Sequence, residues 1–166
     1  MTGDVKYISV FVAAISLALI SVSCAGSDTP VYSHFEQIGS DGWDPCDMLV
    51  FEPWPADSAD AVSASFDMEL VLRYSMRHPV ADLPVAVTVE DEEGTVRSDT
   101  VIVNSESRGN VDSKSRYGVR EIIFPLAGGV RLTDGYMVTL TPVASREHTK
   151  GLLNVGIVMT RPDTRK

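Results

Sequence analysis

Apolar and polar residues alternate along most of the chain after residue 30. In the stretch "SFDMELVLRYS", every second position from Phe66 to Tyr74 is apolar, and three of the four positions between them are charged. The stretches "PVAVTVE" and "VREIIFPL" repeat this alternation. Because successive side chains of a strand point to opposite faces of a sheet, a period of two predicts strands that turn one face toward a core.

Turn signals separate the predicted strands. The acidic "EDEEG", residues 90–94, predicts the tip of a hairpin, and Asp134–Gly135 predicts a second turn. The final stretch "LLNVGIVMT" predicts a strand with Leu153, Val155, Ile157 and Met159 turned inward.

No segment after residue 24 has a convincing helical period. Further strands are predicted at "VYSHFEQI" and "CDMLVFEP", whereas the polar stretch 104–117 is predicted to be a long loop. Short strands at this spacing predict an all-β fold, an antiparallel β-sandwich of about eight strands of immunoglobulin-like or jelly-roll-like type.

The N-terminal segment has the layout of a secretory signal. A short start containing Lys6 precedes an uncharged run over residues 7–23, and Cys24 follows the small residue Ser23 directly. A transmembrane helix needs about 20 apolar residues, and this run is shorter and interrupted by serines. We interpret residues 1–23 as a lipoprotein signal peptide.

Cys24 is the predicted lipidation site, because its thiol can accept a diacylglycerol as a thioether. Cleavage before Cys24 would leave it as the acylated first residue, and two or more chains such as palmitate anchor a protein stably. A cleaved signal with Cys24 incidental and an uncleaved membrane helix are the alternatives. The predicted organisation is a lipidated tether over 24–30, a β-sandwich domain over 31–162 and a tail over 163–166.

Removal of residues 1–23 leaves 143 residues, enough for one domain with a real core. The net charge stays at −9, because the removed segment holds one acid and one base. An acidic chain is repelled by nucleic acid and by anionic lipid, so nucleic acid is excluded as a partner.

Candidate chemistry is sparse. The sequence contains no GxSxG or HExxH motif and no glycine-rich phosphate loop, and His34, His78 and His148 lie far apart and are interpreted as surface or turn residues. Four consecutive acids in "EDEEG" cannot converge on one calcium ion, because neighbours on a strand diverge. No catalytic residue, metal or cofactor is predicted, and Cys46 is expected to be buried and inert.

Trp43 and Trp54 are the candidate partner-binding residues. Both lie in the aromatic-rich stretch "GSDGWDPCDMLVFEPWP". Aromatic side chains fill cores, stack on sugars or anchor protein interfaces, and packing in the core is the competing interpretation for Trp43. Trp54 stands between two prolines, where it can cover a sheet edge or contact a partner.

The order of these segments resembles the GldH family of gliding-motility lipoproteins of Bacteroidetes. The matching pieces are a lipobox, Gly42–Trp43 followed by Asp47 and Phe51, "RYSMRHPVADL" before a strand, and "NVGI" near the end. The resemblance covers about residues 24–161 but not the polar stretch 104–117. It supplies no catalytic residues.

The resemblance implies a non-enzymatic accessory lipoprotein of the cell envelope, linked to gliding motility and its associated protein secretion. The expected location is the outer membrane, facing the periplasm, and the expected partners are other envelope proteins. Two alternatives remain open: a glycan-binding lipoprotein of a nutrient-uptake system, which needs exposed aromatics on one concave face, and an envelope hydrolase, which needs a nucleophile beside a base.

Overall fold

The structure is a computed structural model that describes residues 30–54, 64–78, 82–91, 94–103 and 112–162. The predicted signal segment, Cys24 and residues 92–93 of the acidic turn lie outside these ranges. Helices long and apolar enough to cross a membrane do not occur among the described residues. The described strands are β1 (Tyr32–Gln37), β2 (Leu49–Phe51), β3 (Phe66–Ser75), β4 (Leu83–Asp91), β5 (Gly94–Val103), β6 (Asp112–Arg116), β7 (Val119–Val130), β8 (Met137–Pro142) and β9 (Leu152–Thr160).

The strands form two antiparallel sheets, which confirms the predicted all-β sandwich. One sheet has five strands in the order β1-β9-β3-β7-β6, and the other has four in the order β2-β8-β4-β5. A short 3-10 helix, Arg146–Thr149, connects β8 to β9. The first and last strands are neighbours, because β1 pairs with β9 along its whole length.

The core lies between the two sheets and is built from the alternating apolar positions. The predicted inward positions of β3, from Phe66 to Tyr74, are all at most 1% exposed. Val85, Ile122 and Val138 contribute from the other strands and are fully buried. The alternation in the sequence therefore identifies the core-facing residues of β3, although Val71 on its other face is buried as well.

Two predictions about the strands are wrong. Residues 112–116, within the predicted loop 104–117, form β6, which pairs with the start of β7. Leu152 rather than Leu153 is buried at the start of β9, since Tyr74 pairs with Leu152 while Arg73 pairs with Asn154. This shift in register leaves Leu153 as the extra residue, and its side chain is 36% exposed.

The sandwich has two distinct ends. At the Val31 end, β1, β3 and β8 begin and β4 and β9 end. At the opposite end, which we call the Trp43 end, the chain leaves β1 through the segment containing Trp43 and enters β9 from the 3-10 helix. The predicted tether, residues 24–30, therefore joins the domain at the Val31 end.

Burial of Tyr74 predicts a loss of stability at high pH. Desolvation raises the pKa of Tyr74 to about 12, whereas the unfolded chain ionises near the ordinary value of 10.0. The folded state therefore holds the proton over a range in which the unfolded state loses it. The contribution of Tyr74 to the free energy of unfolding is expected to be constant below about pH 9 and to fall by about 2 kcal/mol as the pH rises from 10 toward 12.

Urea unfolding measured between pH 8 and 11.5 tests this dependence. Tyr74→Phe removes the ionisable group and keeps the ring, so its stability curve is expected to be flatter over the same range. An identical slope in Tyr74→Phe and the parent protein would assign the alkaline loss to other groups.

Candidate partner-binding surface

The outer surface of the four-stranded sheet carries ten described side chains that bear no charge. Strand pairing places them in three rows across the sheet, and a hydrogen bond of 2.9 Å from the N–H of Val143 to the carbonyl of Pro84 extends the first row beyond β8. We call this set the uncharged face. Its rows are Ile102, Pro84 and Val143; Thr100, Ala86 and Thr141; and Ser98, Thr88, Thr139 and Val50.

Large apolar side chains lie at the margins of the uncharged face. Val50, Ile102 and Val143 are 46%, 57% and 59% exposed, and short hydroxyl side chains fill the centre. The first charge along β4 comes in the next row, where Glu90 pairs with Met137. In a chain with a net charge of −9, a patch without charge that exposes three large apolar side chains is a candidate surface for a protein partner.

The outer surface of the five-stranded sheet is different, because it carries charged side chains, among them an ion pair. The Arg73 guanidinium donates to Glu121 at 2.7 Å and stacks over the Phe35 ring at 3.7 Å from its centroid. Phe35 in turn lies across Gly156, where a Cβ atom would overlap the ring. The ring thus covers the glycine, and this surface is less suited to a partner than the uncharged face.

Trp43 is buried, so its side chain is not available to a partner. It is 1% exposed, and its indole N–H donates to the carbonyl of Asp47 at 2.9 Å. The prediction that Trp43 binds a partner directly is therefore wrong, and the competing interpretation as a packing residue is correct. The buried indole ring and its hydrogen bond hold residues 43–47 in place. We call these residues the Trp43 turn.

One hydroxyl group joins the Trp43 turn to the 3-10 helix. Thr149 Oγ1 accepts the backbone N–H of Trp43 at 2.7 Å and donates to the carbonyl of Arg146 at 2.8 Å. Thr149 is fully buried, and it is the sole buried polar residue in the described part of the chain. Gly42 precedes the turn with a φ of 96°, and a Cβ atom there would lie 2.6 Å from Thr149 Oγ1.

Thr149→Val is expected to lower the free energy of unfolding by about 1–3 kcal/mol, since it keeps the volume but leaves a buried N–H and a buried carbonyl unpaired. Thr149→Ser restores the hydroxyl and is expected to recover most of the loss. Thermal unfolding followed by circular dichroism measures both variants. A negligible loss in Thr149→Val would contradict the role given to the hydroxyl, and a loss in Thr149→Ser as large as that in Thr149→Val would show that the methyl group contributes as much as the hydrogen bonds.

Cys46 lies on the outside of the Trp43 turn and is exposed, so the expectation that it is buried is wrong. The reason is the turn itself: the Cys46 N–H donates to Asp44 Oδ1 at 2.8 Å, which directs the backbone into a tight reversal. That hydrogen bond, together with the guanidinium of Arg146, holds the pKa of Asp44 below its usual range.

Trp54 remains accessible beside the end of β2. It is 38% exposed and lines a hollow of about 340 Å³ together with Glu52 and the half-buried Tyr136. The hollow lies at the Val31 end, whereas the Trp43 turn lies at the other, so the structure does not bring the two predicted tryptophans together. Two aromatic rings beside a carboxylate are compatible with stacking on a sugar.

The three histidines of the chain lie at the surface of the described structure. The predicted surface positions of His34, His78 and His148 are confirmed, since all three are exposed. Ser145 Oγ lies 3.1 Å from Nδ1 of His148, but both are exposed, and the bond joins residues three apart in one turn. Among the described residues, no group of three or more His, Cys, Asp or Glu side chains is arranged to hold a metal ion.

Sequence reasoning missed the uncharged face. Most of its members occupy the outward positions of β4, β5 and β8, and Val50 of β2 and Val143 after β8 complete it. The available signal was that these outward positions are Thr, Ser and Ala rather than charged residues, whereas β3 alternates with Asp, Glu and Arg.

Comparison of the chain with protein-family models, with curated proteins and with solved structures returned no match. The resemblance to the GldH family therefore stays a prediction that rests on the quoted segments.

Proposed function

We propose that the protein is a membrane-anchored lipoprotein of the cell envelope that binds a protein partner through the uncharged face. Its role would be accessory or structural rather than enzymatic, in an assembly such as the gliding-motility and protein-secretion machinery that the GldH resemblance implies. The observation that carries the proposal is the uncharged face on a strongly acidic domain. The predicted location is the outer membrane on its periplasmic side.

The proposed anchor gives the domain an orientation. Six residues separate Cys24 from Val31, and a chain of that length spans at most about 20 Å. An acylated Cys24 would therefore hold the Val31 end close to the bilayer and leave the Trp43 end facing away from it.

Exposed apolar side chains are concentrated away from the proposed anchor. Met76 and Tyr117, in the turns that follow β3 and β6, are 51% and 92% exposed, and Met48 before β2 is 67% exposed. All three lie at the Trp43 end, as do Ile102 and Val143 of the uncharged face. This distribution supports a partner that binds above the membrane surface.

A pull-down of the tagged, lipidated protein from gently solubilised envelopes tests the role. Recovery of secretion or motility components with the parent protein, and their loss with Cys24→Ala, is the expected result. Recovery of an outer-membrane nutrient transporter with its glycan-handling lipoproteins would instead favour the alternative function.

A pair of charges placed on the uncharged face should abolish partner recovery. Ile102→Glu with Val143→Glu is expected to reduce it by at least about tenfold, because unpaired charges in a desolvated interface are costly. The matched control is Ser33→Glu with Gln37→Glu, which adds the same charge at exposed positions of β1. Equal recovery by both double variants, with melting temperatures near that of the parent, would show that the partner binds elsewhere.

Glycan binding is the second candidate, and the Trp54 hollow favours it. Under this alternative, Trp54→Ala is expected to abolish binding of an oligosaccharide measured by calorimetry and to leave the melting temperature nearly unchanged. Failure of glycans representative of the host's nutrients to bind the parent protein would count against it.

A further inference from the structure

A concave site opens between the two sheets and is separate from the uncharged face. It is a cleft of about 280 Å³ at the Val31 end, with walls from β3, β4, β5 and β7. Its interior is mainly apolar. Its apolar lining includes Met68, Val87, Val89, Val101, Leu126 and Val130.

The cleft opens beside the second half of β7. β6 pairs with β7 only as far as Ile123, so within the described residues the second half of β7 has no strand on that side. Pro125 has no N–H to offer a neighbouring strand. The carbonyl of Leu126 instead accepts a hydrogen bond of 3.2 Å from Arg97 Nη1 on β5, which crosses the mouth between the sheets.

The charges at the rim of the cleft sum to zero. Arg97 donates to Asp99 at 3.3 Å, and Arg131 and Asp91 complete the polar rim. Burial raises the pKa of Tyr136, which also lines the cleft, in keeping with an interior poorly accessible to water. A rim without net charge and an apolar interior favour the apolar part of a ligand rather than an ion.

We propose that this cleft binds a single acyl chain. The inference rests on the proposed function in one respect: the anchor at Cys24 would hold the Val31 end, and with it the cleft, near the acyl chains of the bilayer. The chain can come from a membrane lipid or from the protein's own acylated N-terminus, and either source presents the same methylenes. Each methylene buried in the cleft strengthens binding about fourfold.

Photo-crosslinking in living cells tests the inference on the full-length protein. Cells that express it are fed a fatty acid carrying a diazirine group, illuminated, and the adducts are mapped by mass spectrometry. Adducts are expected on peptides that contain Met68, Val101 and Leu126.

Ala127→Leu supplies the decisive variant, because it adds three carbons inside the cleft. It is expected to reduce the adducts on these peptides by at least about tenfold. Ala86→Leu makes the same change on the uncharged face, outside the cleft. It is expected to leave the amount of these adducts unchanged. If Ala127→Leu lowers the melting temperature more than the control does, Val101→Phe on β5 replaces it.

The outcomes separate the two proposals. The inference is overturned if the N-terminal peptide carries its acyl groups but the cleft peptides carry no adducts. It is also overturned if the adducts persist in Ala127→Leu or Val101→Phe. An N-terminal peptide without acyl groups overturns the anchor instead. An adduct that joins the cleft to the N-terminal peptide identifies the protein's own chain as the source, and an adduct of free lipid mass identifies the membrane. Adducts that occur only on a co-purified protein would mean that a partner binds the acyl chain in place of the cleft, and this result would overturn the inference.

Discussion

Trp43→Ala is expected to lower the free energy of unfolding by about 3–5 kcal/mol, the range for removing a large aromatic side chain from a core. The indole is 1% exposed, and its N–H holds the carbonyl of Asp47 at 2.9 Å. The variant therefore loses packing and a hydrogen bond at once. Urea unfolding followed by circular dichroism measures the change.

Trp54→Ala is the matched control for Trp43→Ala, because the same ring is removed where it is 38% exposed. Its expected loss is below about 1 kcal/mol, the ordinary range for surface substitutions. Similar losses for the two variants would contradict the assignment of Trp43 to the core. A fall in partner recovery for Trp43→Ala at a temperature where it is folded would indicate that the Trp43 turn supports β2 and the uncharged face.

Gly42→Ala is expected to cost about 2–5 kcal/mol, through two causes that can be separated. The φ of 96° lies in the left-handed region, which costs a residue with a Cβ atom about 1–2 kcal/mol. In addition, the new atom would overlap the carbonyl of Arg146 and approach Thr149 Oγ1 to 2.6 Å. Overpacking of this kind adds about 1–3 kcal/mol.

Gly118→Ala isolates the backbone cause. Gly118 also has a positive φ, of 78°, but no atom lies within 4 Å of the position its Cβ would take. Its expected loss is about 1–2 kcal/mol. Chemical denaturation measures the loss in free energy of unfolding for both variants, and the difference between the two losses is the contribution of the steric overlap. A difference near zero would mean that the Trp43 turn shifts to accommodate the new atom without loss of stability.

The central strands were predictable because their signal is local. The alternation of β3 identifies its buried residues directly, and the Asp134–Gly135 turn is confirmed by a φ of 73° at Gly135 and a hydrogen bond from Tyr136 to Thr133. The start of β9 was not predictable, because the register shift that buries Leu152 depends on pairing with β3. The sequence did not predict edge strand β6, because its residues show no alternation of apolar and polar positions.

The candidate site was less predictable than the fold. A tryptophan gives the same sequence signal in a core or on a surface. The position of Trp43 depends on its contact with Thr149, a residue far along the chain. Exposure of Cys46 follows from the hydrogen bond to Asp44 rather than from the hydropathy of its neighbours. The uncharged face depends on which strands are adjacent, and that information lies in the pairing of β4 with β5 and β8.

The pairing of the first described strand with the last has a consequence for the order of events during folding. β1 cannot join its sheet until β9 has been delivered, because β9 is its neighbour in the described sheet. Such non-local pairing makes folding slow relative to local contacts. Under the proposed lipoprotein role, β1 would thus stay unpaired until β9 has crossed the membrane, and the domain would close only after the proposed acylation site at Cys24 has been exported.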